Sequence, residues 1–388
     1  MEQPGSKVFN FQAVKGQVEA FMNNPFINPK KKPGTKDGIY DDAERGLANR
    51  NSGTLLETLA LDITPLGAHY LLTHFDTPII DANQHQLHFE GAFRNPFHLD
   101  MNDIRSLPKV TMPVTLECSG NGRAKISPRR YSMPWDYEAV GTSEWTGTPL
   151  AALIDRAKPH SDVIEISFTG VDYGYDDGVG HYFGRSLTLD QLKDLEVLLV
   201  YDMNGQPLLP QHGAPLRIIV PGWYGMASVK WLKKIEALAK PFSGFQQIQT
   251  YRFRERAGDK GRPITSIRVK SLMVPPGDPD WVSRNRCVEP GIVTINGKAW
   301  SGAGKKITKV EFGSNGNWEK AEIHEQVGKF AWTSWQYRWD AKPGNHILNC
   351  RASDESGETQ PINPPWDLAG FGNNAVQSVN VFVRDYDN

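Results

Sequence analysis

A chain of 388 residues is long enough for two or three domains. A net charge of −1 gives no cationic face for nucleic acid or an anionic membrane, and no apolar run is long enough to span a bilayer. Three cysteines with no Cys-x-x-Cys pair and no Cys-x-x-Cys-His exclude a disulfide framework and a covalent haem site.

Residues 1–54 form a polar, irregular N-terminal arm with the basic run Lys30-Lys-Lys-Pro-Gly-Thr-Lys36, a solvated face. A first domain follows over 55–255. It mixes strands at Gln86–Phe89, Val114–Cys118, Val163–Phe168, Val197–Tyr201 and Leu216–Val220 with helices at Pro149–Ala157 and Leu189–Leu195. Arg254–Arg262 is charged and contains glycine, as inter-domain links do. Over 263–388 the texture becomes short alternating strands at Ile267–Val274, Gly291–Ile295, Ile307–Phe312, Phe330–Tyr337 and Val376–Val383, separated by Gly, Pro and Asn turns. That spacing predicts an immunoglobulin-like β-sandwich. The fold class is therefore α+β: a mixed α/β domain followed by a sandwich. Reduced thiols and a start without a basic-then-apolar leader place the chain in the cytoplasm, or in the periplasm if a leader has been removed.

Two segments carry chemistry. In Val114-Thr-Leu-Glu-Cys-Ser-Gly-Asn-Gly-Arg123, a strand delivers Cys118 into a turn whose glycines leave bare backbone, with Arg123 five residues beyond the sulfur. A thiol, open amides and a guanidinium suit an anionic, sulfur-liking ligand. In Gln211–Trp231, His212 and Arg217 flank a strand that runs into a glycine loop and on to Ser228, Val229 and Lys230. Those groups neutralise phosphate and hydrogen-bond a flat heterocycle. Gly178-Val-Gly180-His-Tyr-Phe-Gly184 lacks the spacing and the strand-to-helix context of a dinucleotide fingerprint. His85 and His88, three apart in a strand, face opposite ways and make no zinc pair.

Together these pieces resemble the sulfite oxidase family of molybdenum enzymes over residues 55–388. Glu117-Cys-Ser-Gly-Asn-Gly-Arg123 is similar to the family's Cys-Ala-Gly-Asn-Arg-Arg loop. Trp135, Trp145-Thr-Gly-Thr-Pro-Leu150, Tyr201-Asp-Met-Asn-Gly-Gln-Pro-Leu208, His212–Arg217 and Ser228–Trp231 match in order. Asn296–Glu311 resembles the family's dimerisation domain. The resemblance implies a molybdopterin cofactor with Cys118 as the thiolate ligand of molybdenum, a soft donor for that metal. It further implies His74, Asp172, His212, Arg217, Ser228, Val229 and Lys230 as cofactor-binding, with Arg123, Trp135 and Tyr251 around the substrate. The implied reaction is oxidation of a small inorganic sulfur oxyanion, sulfite, to sulfate. Electrons then pass to an external acceptor, cytochrome c-like or oxygen, since no haem is expected in this chain, and the assembly is a homodimer. Three positions depart from the family. Leu72 stands two before His74 where an Arg-x-His pattern has arginine, Gly122 replaces the first of two arginines, and Val376-Gln377-Ser378 replaces Trp-His-Arg. Either Arg129 and Arg130 compensate, or the substrate is a less charged sulfur compound, as for a sulfane dehydrogenase-like enzyme or a sulfoxide reductase.

Overall fold

The computed structural model describes residues 42–384. The basic run Lys30–Lys36 and most of the expected arm lie outside the described residues. The rest of the arm departs from the irregular structure expected, because Asp42–Arg50 is a helix. It docks through Glu44, which is wholly buried and accepts from Arg129 Nη1 at 2.6 Å.

The first unit carries β1 (Gln86–Gly91), β2 (Phe97–Asp100), β3 (Val110–Glu117), β4 (Val140–Pro149), β5 (Glu165–Asp176), β6 (Val179–Thr188), β7 (Leu198–Met203), β8 (Gln206–Pro207), β9 (Arg217–Ile219) and β10 (Leu232–Leu238). One sheet has the order β2-β1-β10-β5-β6, with β1 and β10 parallel. The other has the order β3-β4-β7-β8, with β9 paired to β7. Its helices are short and locally specified. Met101–Ser106 is closed by Asp100 in a capping box with Asp103, and Leu189–Asp194 by Thr188 with Gln191. Leu150–Ala157 buries Leu150, Leu153, Ile154 and Ala157, one face at helical spacing. The segment Gly178–Gly184 is the turn of the β5–β6 hairpin and the start of β6, so it opens a strand and not a helix. His85 is buried with Nε2 against Leu232 O at 2.9 Å, while His88 pairs across to His98.

The second unit is two sheets sharing one core. Lys270–Met273, Gly291–Trp300, Thr333–Ala341 and Glu322–Ile323 form the first. Asp278–Pro279, Arg286–Val288, Gln377–Val383, Gly344–Asp354, Ile307–Ser314 and Asn317–Lys320 form the second. Gln377–Val383 alternates buried and exposed along its whole length, as a strand with one wet face must. Met273, Ile295, Phe312, Trp335, Leu348 and Val381 fill the space between the sheets. The segment expected as a link is also a long-looped hairpin. Arg252–Phe253 pairs with Arg262–Pro263, and Asp259 accepts from the Glu255 and Arg256 amides.

The units meet over buried polar contacts. Lys270 Nζ donates to Glu117 Oε1 at 2.9 Å, and Trp300 Nε1 donates to Glu117 Oε2 at 2.9 Å. Thr115 N donates to Phe330 O at 2.9 Å. Thus β3, which ends just before Cys118, is held from the second unit.

Candidate active site

The Cys118 turn is set by its neighbours. The Cys118 amide donates to Ala139 O and its carbonyl accepts from Asn121 N, both at 2.9 Å. Gly122 takes φ +87°, and Asn373 of the second unit donates to its carbonyl at 2.7 Å, packed where a Cβ would sit. Gly120 N points at the sulfur, N to Sγ 3.4 Å. Burial pushes the Cys118 thiol up, while the Arg123 guanidinium opposes that rise.

The second segment faces it. Arg217, at the start of β9, donates to His212 O at 2.8 Å and Ser228 O at 3.0 Å, and lies over the Trp145 ring at 4.9 Å. Ser228 Oγ accepts from Val220 N at 3.1 Å, which folds the loop back. Lys230 Nζ donates to Leu72 O at 3.1 Å and Gln211 O at 2.9 Å.

One cavity of about 680 Å³, its open mouth included, brings together His74, Cys118, Asp172, His212, Arg217, Ser228, Lys230 and Tyr251. Arg123, Trp135 and Val229 do not line it. Arg123 lies behind the Cys118 turn, donating through Nε to Ala369 O at 2.9 Å and through Nη1 to Met133 O at 2.7 Å. Trp135 is buried edge-on to Tyr70, and Val229 is buried in the core with its carbonyl accepting from Ile218 N. Leu72 forms part of the wall. Arg129 is tied to Glu44, and Arg130 stacks on the Trp366 ring at 3.9 Å, so neither points its charge into the cavity.

Ser378 is exposed on a second-unit strand, bonded to Asn349, and is absent from the cavity wall. A serine there takes no charge from the site. The second-unit segment that does reach the site is Asp367–Asn373, through Ala369 O, Phe371 against Tyr251, and Gly372 N to Ser119 O at 2.7 Å.

Electrostatics in the cavity follow from desolvation beside fixed cations. His74 and His212 are each lowered to about 3 and His69 to about 4, first by burial and then by neighbouring charge. All three imidazoles are neutral near pH 7. Burial lowers Lys230 to about 7 and Arg217 to about 10, and raises Asp172 to about 6. His74 Nε2 and the Tyr251 hydroxyl form a hydrogen bond.

Several of these groups are aimed inward. Asp172 Oδ1, Arg217 Nε and Ser119 Oγ are buried without a hydrogen-bond partner among the described residues. Buried polar atoms of this kind cost free energy unless a ligand meets them. Two cations, neutral imidazoles, aromatic walls at Tyr70 and Phe183, and a thiol at one end fit a flat, phosphate-bearing heterocycle that presents a soft metal. The donor set therefore fits a molybdopterin.

His69, Ser119 and Phe183 also line the cavity, without having been expected there from the sequence. His69 stands T-shaped to His212 with ring centroids 5.7 Å apart, and its Nδ1 lies 3.0 Å from Tyr70 O. Its signal was present as a second histidine five positions before His74, but a lone buried histidine is more often structural.

Residues 74–246 match the oxidoreductase molybdopterin binding domain, and residues 261–384 match the Mo-co oxidoreductase dimerisation domain. The chain is 31% identical to the sulfite oxidase of Arabidopsis thaliana, covering 82% of this chain and 87% of that protein. It is 31% identical to the mitochondrial sulfite oxidase of Macaca fascicularis over 83% of this chain, and spans 62% of that relative's length. A nitrate reductase [NADH] of Ulva prolifera is 30% identical over 81% of this chain and 40% of its own. The sulfane dehydrogenase SoxCD from Paracoccus pantotrophus shares the fold, with TM-score 0.74 and 22% identity over 93% of this chain and 97% of that one. No described helix is long and apolar enough to cross a membrane.

Proposed function

Because the chain belongs to the sulfite oxidase family and is a molybdopterin oxidoreductase, we propose that it oxidises sulfite to sulfate. The sulfur gains one oxygen from water, and two protons and two electrons leave, the electrons to a separate acceptor, cytochrome c-like or oxygen. The observation that carries this reading is that Cys118 and the Arg217–Lys230 pair, about a hundred positions apart, line one cavity.

Bound there, the molybdenum cofactor supplies oxygen-atom transfer and a two-electron store. Cys118 is its thiolate ligand. Arg217 and Lys230 hold the phosphate, with His74, Asp172, His212, Ser228 and the Val229 backbone around the pterin. Neutral His212 and His69 donate or accept hydrogen bonds without adding charge. On the substrate side, Arg123 supplies the positive field behind the Cys118 turn. Tyr251 donates its hydroxyl proton to an oxyanion in the tautomer where His74 Nε2 carries the hydrogen and donates to the phenol oxygen. Trp135 acts from behind the wall, buttressing the cavity-lining Tyr70 edge-on. Residues 263–388 form the immunoglobulin-like homodimer contact, in keeping with the dimerisation-domain match, and the chain works in the cytoplasm.

One observation favours a second reading. Leu72 is on the wall and Arg123 is not, so the charge facing the substrate is small, as a less charged sulfur compound requires. Acceptor reduction with sulfite, thiosulfate and sulfane sulfur, together with methionine sulfoxide reduction, separates the two. Turnover with sulfite at the highest kcat/KM supports the first, and turnover with another compound alone replaces it.

A further inference from the structure

Arg185 sits on β6, two residues along the same strand face from the cavity-lining Phe183. It is 2% exposed, yet the ionisable groups beside it are the neutral phenol of Tyr251 and the cation Arg252, with no carboxylate among them. A guanidinium buried without a counter-charge needs strong acceptors. It finds two backbone carbonyls, Nη1 to Gln246 O at 3.0 Å and Nη2 to Ile264 O at 3.4 Å. These belong to the residues that hold the Tyr251 backbone. Tyr251 N donates to Gln246 O at 3.0 Å, and Ile264 N donates to Tyr251 O at 3.2 Å. The first of these bonds closes the π-helical turn Gln246–Thr250, a rare geometry that is frequent at functional sites. The guanidinium carbon also lies 5.7 Å from the Tyr251 ring centroid.

We infer that Arg185 is the positioning residue for Tyr251: its fork locks both backbone partners of that tyrosine and sets its hydroxyl against His74 at the cavity. Its positive charge also opposes the burial that pushes the Tyr251 hydroxyl up, making the phenol a better donor. The inference rests on the reading that Tyr251 serves the substrate, and the test keeps the two apart.

Amide hydrogen exchange of Arg185→Met, against wild type, reads the clamp without reference to turnover. Protection should fall over residues 246–264, at the Tyr251 and Ile264 amides above all, and stay unchanged over β3 and β4. Unchanged exchange over 246–264 overturns the clamp. A double-mutant cycle then reads the link to Tyr251. Arg185→Met should lower kcat per bound molybdenum by about tenfold or more in wild type, and by about twofold or less in the Tyr251→Phe background. Equal losses in both backgrounds make Arg185 a fold residue and overturn the inference. Full activity in Tyr251→Phe alone overturns the substrate role of Tyr251, while the exchange data still decide the clamp. If Arg185→Met does not fold, Arg185→Lys carries the same test, because an ammonium cannot span both carbonyls as the planar fork does. Wild-type exchange and wild-type kcat in Arg185→Lys would overturn the inference.

Discussion

Cys118 and Lys230 show how far single residues decide the site. Cys118→Ser changes the volume at a buried turn very little, so the fold persists, but a hydroxyl is a poor ligand for a soft metal. Circular dichroism should match wild type while turnover per bound molybdenum falls to near zero. Arg217→Ala removes two charged hydrogen bonds that order the loop and, by the assignment above, a phosphate contact. Each such bond is worth about 1.5–3 kcal/mol, so molybdenum content should drop more than kcat per molybdenum does. Lys230 adds a pH signature. Its folded ammonium titrates at about 7, depressed first by burial and next by Arg217. In the unfolded chain it titrates at about 10.4. Between those values the unfolded state holds the extra proton, so stability of cofactor-free protein rises with pH across that window. Denaturant unfolding of Lys230→Met should lose that rise, and an unchanged pH slope would remove the assignment.

At the level of elements, the loops after β3 and β9 make the site, and glycines fix their paths. Gly222 has φ +74°, its carbonyl accepts from Ile267 N at 3.0 Å, and a Cβ would run into the Ala303 amide nitrogen. Gly222→Ala therefore combines backbone strain with a clash against main chain that cannot move aside. It should cost more in a urea titration than Gly205→Ala, which has φ +73° with open space around it and so carries only the left-handed backbone strain of about 1–2 kcal/mol. These loops were legible in the sequence because strand alternation ends in Gly-rich turns carrying a thiol or cations. Eight of the eleven residues assigned from the sequence line the cavity: Cys118, His212, Arg217, Ser228 and Lys230 from these loops, and His74, Asp172 and Tyr251 from the family resemblance alone. Asp367–Asn373 was not legible. Its contacts to Arg123, Ser119 and Tyr251 are about 120–250 positions distant in sequence and run largely through backbone atoms, which carry no residue-type signal. The hairpin at 252–263 was missed for the opposite reason, since a charged, glycine-containing stretch predicts both links and turns.

Across the whole molecule, the second unit supports the first. Lys270, in a strand that is buried along its whole length, neutralises Glu117 beside Cys118, and Trp300 and Asn121 satisfy the rest of that carboxylate. Alternation along Ile267–Val274 could not show this, because a lysine in a strand ordinarily faces water. Lys270→Met leaves a buried carboxylate uncompensated and should cost about 3–5 kcal/mol, with Glu117→Gln/Lys270→Met recovering much of it in chemical denaturation. Truncation near residue 260 removes these contacts and the matched dimerisation domain together, and light scattering should then show a poorly stable monomer. Sulfite oxidation at a cofactor held by Cys118, as proposed for this chain, is decided by sulfite-dependent reduction of an electron acceptor, normalised to bound molybdenum. Wild type should show saturable turnover that Cys118→Ser abolishes. No sulfite turnover in fully molybdenum-loaded wild type, or equal turnover in Cys118→Ser, would contradict it.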